Sequence, residues 1–122
     1  ILDFFQAEER EQVRRQLSTC LRAVICQRMA RTINGGMTPA IEIMINTPTV
    51  RKMMEDNRLD KLAAAIETGT DDGMINFNQA LFNLVKQGKV SEQEALNKAT
   101  NPQALEMNFK GIFLDEGRRI LS

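Results

Sequence analysis

The spacing of hydrophobic and polar positions changes twice in the first half of the chain, and each change predicts a boundary between elements. From Glu8 onward, apolar residues recur every three or four positions, which indicates an amphipathic helix. The positions that carry this pattern are Val13, Leu17, Cys20, Leu21 and Val24. The next residues, RAVICQRM, could continue the helix or form a buried strand. We predict that the helix ends near Leu21 and that a strand follows.

A second strand is predicted from Ala40 to Asn46. Isoleucines at every second position alternate there with Ala40, Glu42 and Met44, a period of two that is typical of a half-buried strand. Asn34, Gly35 and Gly36 precede it and favour a tight turn, since glycine adopts positive φ easily. We therefore predict an antiparallel hairpin.

Five helices are predicted after the hairpin. Thr47 suits the N-cap and Pro48 the first position of a helix that we expect to run to about Asp56. The later helices are predicted from their apolar spacing and end signals. The second of the five helices carries Leu59, Leu62, Ala63 and Ile66 and ends at Gly69, and the third carries Phe77, Ala80, Leu81, Leu84 and Val85 and ends near Gly88. The fourth begins with a capping box formed by Ser91 and Glu94 and runs through Ala99. The fifth begins at Asn101 and Pro102 and carries Leu105 and Phe109. The tail after Phe109 shows no clear period.

These elements predict a mostly α-helical chain with one antiparallel β-hairpin followed by a helical bundle. A lone two-stranded hairpin is marginally stable in water without a larger sheet beside it, which suggests that part of the protein is missing from this sequence. The sequence also starts at Ile1 inside an apolar phrase, and we interpret it as a piece of a longer protein.

Composition argues against several classes of function. Sixteen basic residues balance sixteen acidic ones, which disfavours nucleic acid or an anionic membrane as a partner. No apolar run is long enough to span a bilayer. The sequence has no histidine, the commonest general base and metal ligand, and two cysteines alone cannot complete a zinc site. We expect Cys20 and Cys26 to be buried thiols in a reducing cytosol.

Three further features are better explained by structure than by chemistry. Gly88-Lys89 is not a P-loop, because Asn83 and Val90 occupy positions where that motif needs Gly and Ser or Thr. Asp71 and Asp72 lack the alternating ligands of an EF-hand. Most methionines are expected in the core, namely Met29, Met44, Met53, Met54 and Met74. The residues by themselves predict no catalytic or metal-binding residue.

The helix after Thr47 offers one candidate interaction surface. If its apolar residues face the core, then its outer side presents Arg51, Lys52, Glu55 and Arg58. Such a face is most often only solvated. An internal Arg51 to Glu55 pair would contribute about 0.2 to 0.5 kcal/mol, which leaves these charges available for a partner.

Several phrases, taken in order and spacing, resemble a known family. They are LRAVICQRM (21–29), AIEIMINTP (40–48), TVRKMMEDNR (49–58), GMINFNQAL (73–81) and GKVSEQEAL (88–96). They are similar to LRGVISQRL, EIMINTP, AIRNLIREGK and GMQTFDQAL in the C-terminal third of the type IV pilus retraction ATPases, the twitching motility motors of bacteria. The resemblance covers most of the chain and includes the paralogues of these motors.

The resemblance implies an α/β parent protein with a RecA-like P-loop ATPase core. Residues 1–46 would end that core and residues 47–122 would form a C-terminal helical subdomain. The parent would form a hexameric ring at the cytoplasmic face of the inner membrane, contact the pilus platform protein there, and use ATP and magnesium to depolymerise pili. This piece alone would hold no cofactor and would not hydrolyse ATP.

The resemblance also assigns residues to the family's retraction motif, AIRNLIREGK. Arg51 matches its first arginine and Arg58 its last basic residue, while Val50, Met53 and Met54 match its apolar positions. Glu55, Asp56 and Asn57 depart from the motif, which has a basic residue, Glu and Gly there. We expect this helix, fixed to the end of a strand by Thr47 and Pro48, to move with the ATPase core as a rigid lever.

A weaker assignment places Gln27 and Arg28 near the nucleotide base in the parent protein. Two other interpretations remain open at this point. A pilus assembly or type II secretion ATPase would carry a four-cysteine zinc insertion, which the sequence lacks. A free-standing helical interaction module would have no P-loop encoded upstream.

Overall fold

The structure, a computed structural model, describes residues 1–111, which form six α-helices and one antiparallel hairpin. The helices are α1 (Ala7–Cys20), α2 (Pro48–Glu55), α3 (Leu62–Thr68), α4 (Phe77–Lys86), α5 (Glu92–Lys98) and α6 (Pro102–Phe109), and the strands are β1 (Ala23–Arg31) and β2 (Met37–Ile45). Short 3-10 turns cover Leu2–Phe4, Leu59–Lys61 and Thr70–Asp72. The predicted fold class is confirmed. Most of the tail, which showed no clear period, lies outside the described residues.

The hairpin pairs Ala23 with Ile45 and continues to Arg31 opposite Met37. β2 therefore begins three residues before the predicted start and includes Pro39. The N–H groups of odd-numbered residues in β2 point away from β1, since Ile43 donates to the carbonyl of Ile75 across 2.8 Å on that side. The missing N–H of Pro39 would lie on the same outer side, so proline removes no bond from the β1–β2 ladder.

The larger of two apolar clusters joins the hairpin to the last three helices. It contains Ala30 and Ala40 of the hairpin together with Phe77, Ala80, Leu81, Leu84, Val90, Ala95 and Leu105. The two alanines have small side chains, which lets α4 and α5 approach the sheet closely. α4 begins with a reciprocal capping box. The Asn76 side chain accepts a hydrogen bond from the Gln79 N–H, and the Gln79 side chain accepts one from the Asn76 N–H.

The second cluster joins β2 to α2 and α3. Its buried members are Met44, Val50, Met54, Ile66 and Met74. The hairpin thus contributes to both clusters, and helices pack directly on it. The boundary between residues 46 and 47, proposed from the resemblance, stays a prediction.

One face and one edge of the hairpin are open among residues 1–111. The side chains of Ile25 and Met29 are 68% and 41% exposed, and Met37 beside them is 54% exposed. The outward N–H groups of β1 from residue 25 to 29 meet no acceptor in this part of the chain, whereas that of Arg31 donates to Glu94 across 2.8 Å. An open edge of this kind can accept another strand.

Several predictions about single residues were wrong. Cys20 and Cys26 are exposed, because α1 turns Ser18 rather than Cys20 inward and β1 is the outer strand of the hairpin. Met29 lies on the open face instead of in the core. Ser91 caps α5, but the Glu94 side chain accepts from Arg31 instead of completing the capping box.

The interpretation of Gly88 and Lys89 as a helix end is confirmed. Gly88, with φ of 77°, ends α4, and the Lys89 N–H donates to the Leu84 carbonyl in the pattern of a helix C-terminus. In the described part of the chain, every helix is too short or too polar to cross a bilayer.

Candidate functional site

Helix α2 begins as the sequence predicted. The Thr47 hydroxyl accepts a hydrogen bond from the Val50 N–H at 3.2 Å, and Pro48 occupies the first helical position. The cap satisfies one of the N–H groups that a helix start leaves without a partner. The change from alternation to helical spacing in the sequence therefore marks a real junction between β2 and α2.

The inner side of α2 is fixed by burial. Val50 and Met54 are buried against Met44, Ile66 and Met74, and Met53 is half-buried. Burying two side chains of this size stabilises the packed helix by about 1.5 to 3 kcal/mol each. Because α2 has only eight residues, its packing rather than its intrinsic helix propensity holds it in place.

The C-terminus of α2 explains why one departure from the family motif is tolerated. Asn57 has φ of 57°, in the left-handed region. The Arg58 N–H donates to the Met53 carbonyl at 2.7 Å and the Asn57 N–H donates to the Met54 carbonyl at 3.2 Å. This is the Schellman arrangement, which usually places glycine where Asn57 stands. Asparagine is the residue next best suited to that conformation.

We expect Asn57→Gly to leave stability unchanged or raise it by up to about 1 kcal/mol, because glycine enters the left-handed region without steric strain. Asn57→Ala should lower the free energy of unfolding by about 1 kcal/mol, because the Cβ of alanine is sterically strained in the left-handed region. Urea denaturation measures both. Asn83→Ala, an exposed position inside α4, is the matched control and should cause no loss. Equal stability of all three variants would contradict this account of the helix end.

The outer side of α2 carries charges that the described part of the chain leaves available. Arg51, Glu55 and Arg58 are exposed, and no side chain within residues 1–111 pairs with them. The ion pair on this helix joins Lys52 to Asp56 at 3.6 Å instead of Arg51 to Glu55. This weak surface pair is worth about 0.3 to 0.5 kcal/mol. We call Arg51, Glu55 and Arg58 together the α2 outer face.

Gln27 and Arg28 do not converge. Neighbouring residues of a strand point to opposite faces, so Gln27 lies on the open face of the hairpin and Arg28 on the helix-covered face. The Arg28 guanidinium donates to the Lys98 carbonyl at 2.8 Å and to the Thr100 hydroxyl at 3.1 Å, and it lies 4.1 Å from the centre of the Phe77 ring. Its contacts bind the α5–α6 connection to the hairpin.

Two residues that the sequence pattern did not single out hold α2 in position. The Arg14 Nε donates to the Met54 carbonyl at 2.9 Å. The Asn46 amide donates to the carbonyls of Ser18 and Leu21 at 3.0 and 2.7 Å. The spacing of Arg14, Leu17 and Ser18 along α1, three and four residues apart, was a signal that all three share one face.

Comparison with solved structures defines the class of protein. No protein-family model matches the sequence. The chain superimposes on the structure described as the pilus retraction motor PilT with bound ADP, with a TM-score of 0.75 and 31% identity over 87% of this chain and 29% of that one. The ATPase DotB of Yersinia pseudotuberculosis shares the fold at 18% identity, with a TM-score of 0.64 over 79% of this chain and 25% of that one. The fold is therefore one that occurs within ATPases, among them a pilus retraction motor.

Sequence relatives are more specific. The type IV pilus retraction ATPase PilT of Pseudomonas aeruginosa is 38% identical over 84% of this chain and 30% of its own length. The twitching motility protein of Neisseria gonorrhoeae is 36% identical over 86% of this chain and 28% of its own length. The type IV pilus ATPase PilU of P. aeruginosa is 32% identical over 90% of this chain and 29% of its own length. This chain belongs to the type IV pilus retraction ATPases and spans under a third of the length of the relatives it matches.

Proposed function

We propose that this chain is part of a hexameric ATPase that powers type IV pilus retraction, and that the α2 outer face passes force to a neighbouring subunit or to the pilus platform protein. The observation that carries the proposal is the contrast between the two sides of α2. Its inner side is buried and held at both ends, whereas the charges of the α2 outer face have no side-chain partner in residues 1–111. A rigid helix with available charges on one side is suited to pushing on a partner.

The comparisons support a retraction motor more than a secretion ATPase. Identity to the pilus retraction relatives is 32 to 38%, whereas identity to the DotB structure is 18%. A pilus assembly or type II secretion ATPase remains the second candidate within the superfamily. A free-standing helical module is supported less well, because the hairpin exposes an apolar face and an open edge.

The RecA-like core of the whole protein is the proposed occupant of that face and edge. β1 offers outward N–H groups over residues 25 to 29, and its open side carries apolar side chains, which together suit an added strand. Residues 1–46 would then end the core. The protein would work at the cytoplasmic face of the inner membrane.

ATP and magnesium would bind to the rest of the whole protein. The PilT structure that this chain resembles holds ADP. Gly88 and Lys89 form a helix end, and the Arg28 guanidinium is engaged by Lys98 and Thr100, so neither provides a phosphate cradle here. Of the two residues predicted to lie near a nucleotide base, Gln27 lies on the open face of the hairpin.

The coding sequence upstream of Ile1 provides the first test. We expect it to encode a strand, the motif G-x-x-x-x-G-K-[ST] and a helix. The whole protein should hydrolyse ATP and show the mass of a hexamer by native mass spectrometry, and the 122-residue chain alone should be inactive. Absence of the motif from the gene, or ATP turnover by this chain alone, would refute the proposal.

A further inference from the structure

Both ends of α2 are bound to α1 by side chains. At the N-terminal end, Asn46 precedes the N-cap, and its amide donates to the carbonyl of Ser18 in the last turn of α1 and to that of Leu21, the C-cap of α1. The Asn46 N–H also donates to the Arg22 carbonyl at 2.9 Å. The start of α2 therefore cannot shift along α1 without breaking three hydrogen bonds.

At the C-terminal end, the contact is made by Arg14. This residue is half-buried on the face of α1 that packs against α2, and its Nε donates to the Met54 carbonyl at 2.9 Å. The last carbonyls of a helix carry partial negative charge, so a guanidinium is favoured there. Met54 lies in the last turn of α2, four residues before Arg58.

We propose that Arg14 is a positioning residue for force transmission, which fixes the C-terminal end of α2 to α1 so that the two helices move as one body. The inference rests on the proposed function of the α2 outer face. Arg14 touches neither nucleotide nor partner in this scheme. Its effect reaches the partner through the orientation of Arg51 and Arg58, which α2 carries.

Arg15 provides a matched control. It is the next residue on the same helix, but it is exposed, and within residues 1–111 its side chain pairs only with Glu11 one turn earlier, at 2.6 Å. Arg14→Met and Arg15→Met remove the same charge and retain a side chain of similar length. Only the first removes a contact with α2.

The test measures pilus retraction speed and basal ATP hydrolysis of the whole protein. Arg14→Met should reduce retraction about tenfold, within the usual range of coupling between sites, and leave hydrolysis unchanged. Arg14→Lys, which keeps a cationic donor, should restore most of the speed, and Arg15→Met should behave like the unmodified protein. If Arg14→Met does not fold, Arg14→Gln replaces it with the same expected loss.

Two further measurements distinguish positioning from general stability. Amide hydrogen exchange should accelerate in α2 of the Arg14→Met variant but remain unchanged in α4. In a variant that combines Arg14→Met with Arg51→Glu, the loss of retraction speed should be smaller than the two single losses predict together, because both residues act through the α2 outer face. Full additivity, or equal retraction by the Arg14 and Arg15 variants, would overturn the inference.

The outcomes separate the two proposals. If charge reversal at Arg51 and Arg58 stops retraction but Arg14→Met matches Arg15→Met, only the positioning role of Arg14 fails. If charge reversal leaves retraction intact, the proposed role of the α2 outer face fails, and the positioning role that rests on it fails too.

Discussion

Arg51→Glu together with Arg58→Glu, introduced into the whole protein, is expected to abolish pilus retraction while basal ATP hydrolysis continues unchanged. Both guanidinium groups are exposed and unpaired within residues 1–111, so they are available to an acidic partner surface. Reversal of their sign would place like charges against that surface, which costs several kcal/mol at a docked interface. Hydrolysis should persist, because the proposed nucleotide site lies in another part of the protein.

The fold should tolerate this double change. An added carboxylate one turn before Glu55 costs about 0.2 to 0.5 kcal/mol, and one near the helix C-terminus costs about 0.3 to 1 kcal/mol. Neither substitution touches Val50 or Met54, whose burial holds the helix. A thermal denaturation midpoint close to that of the unmodified protein would verify this point.

Lys89→Glu is the control for charge reversal as such. Lys89 is exposed and follows α4, away from α2, and its side chain has no partner in the described range. It should retain normal twitching. Normal twitching by the double variant as well, or parallel loss of retraction and hydrolysis, would refute the assignment of force transmission to the α2 outer face.

Leu81→Ala is expected to have the largest effect on stability. Leu81 has no solvent exposure and lies in the cluster that joins the hairpin to α4, α5 and α6. Truncation of a buried leucine removes apolar contacts and leaves a cavity, which together cost about 2 to 5 kcal/mol. Since a domain of this size is stable by about 5 to 15 kcal/mol in total, the variant should unfold at much lower urea concentration.

Leu59→Ala makes the same chemical change at a site that is 38% exposed. The loss in the free energy of unfolding should be well under half of that caused by Leu81→Ala, because less apolar surface is lost and no closed cavity forms. Urea denaturation followed by far-ultraviolet circular dichroism compares the two. Similar losses in both variants would mean that the larger cluster is not what holds the bundle to the hairpin.

Local signals in the sequence predicted the order and type of the elements correctly. The junction at Thr47 and Pro48, the turn at Gly35, and the helix ends at Gly69 and Gly88 depend on residues within a few positions of each other. Backbone preferences of threonine, proline and glycine act over that range. The family resemblance was equally a property of the sequence, and the comparisons bear it out.

Predictions that depended on distant neighbours were less successful. Cys20 and Met29 fitted apolar patterns, yet both are exposed, because no element of residues 1–111 covers their side of α1 or β1. Glu94 had the spacing of a capping box, but its carboxylate accepts from Arg31, 63 residues away in the chain. A periodic pattern identifies the apolar side of an element without showing how much of that side another element covers.

The sequence by itself determined that α2 exists, where it begins, and which residues form its inner and outer sides, because capping and helical periodicity are local properties. Only the tertiary structure decided how α2 is held, since the hydrogen bond from Arg14 to the Met54 carbonyl joins residues 40 positions apart. It also decided which charges remain available. Among residues 1–111, Lys52 pairs with Asp56 while Arg51 and Arg58 pair with no side chain, because side-chain geometry and packing select among pairs that spacing alone allows.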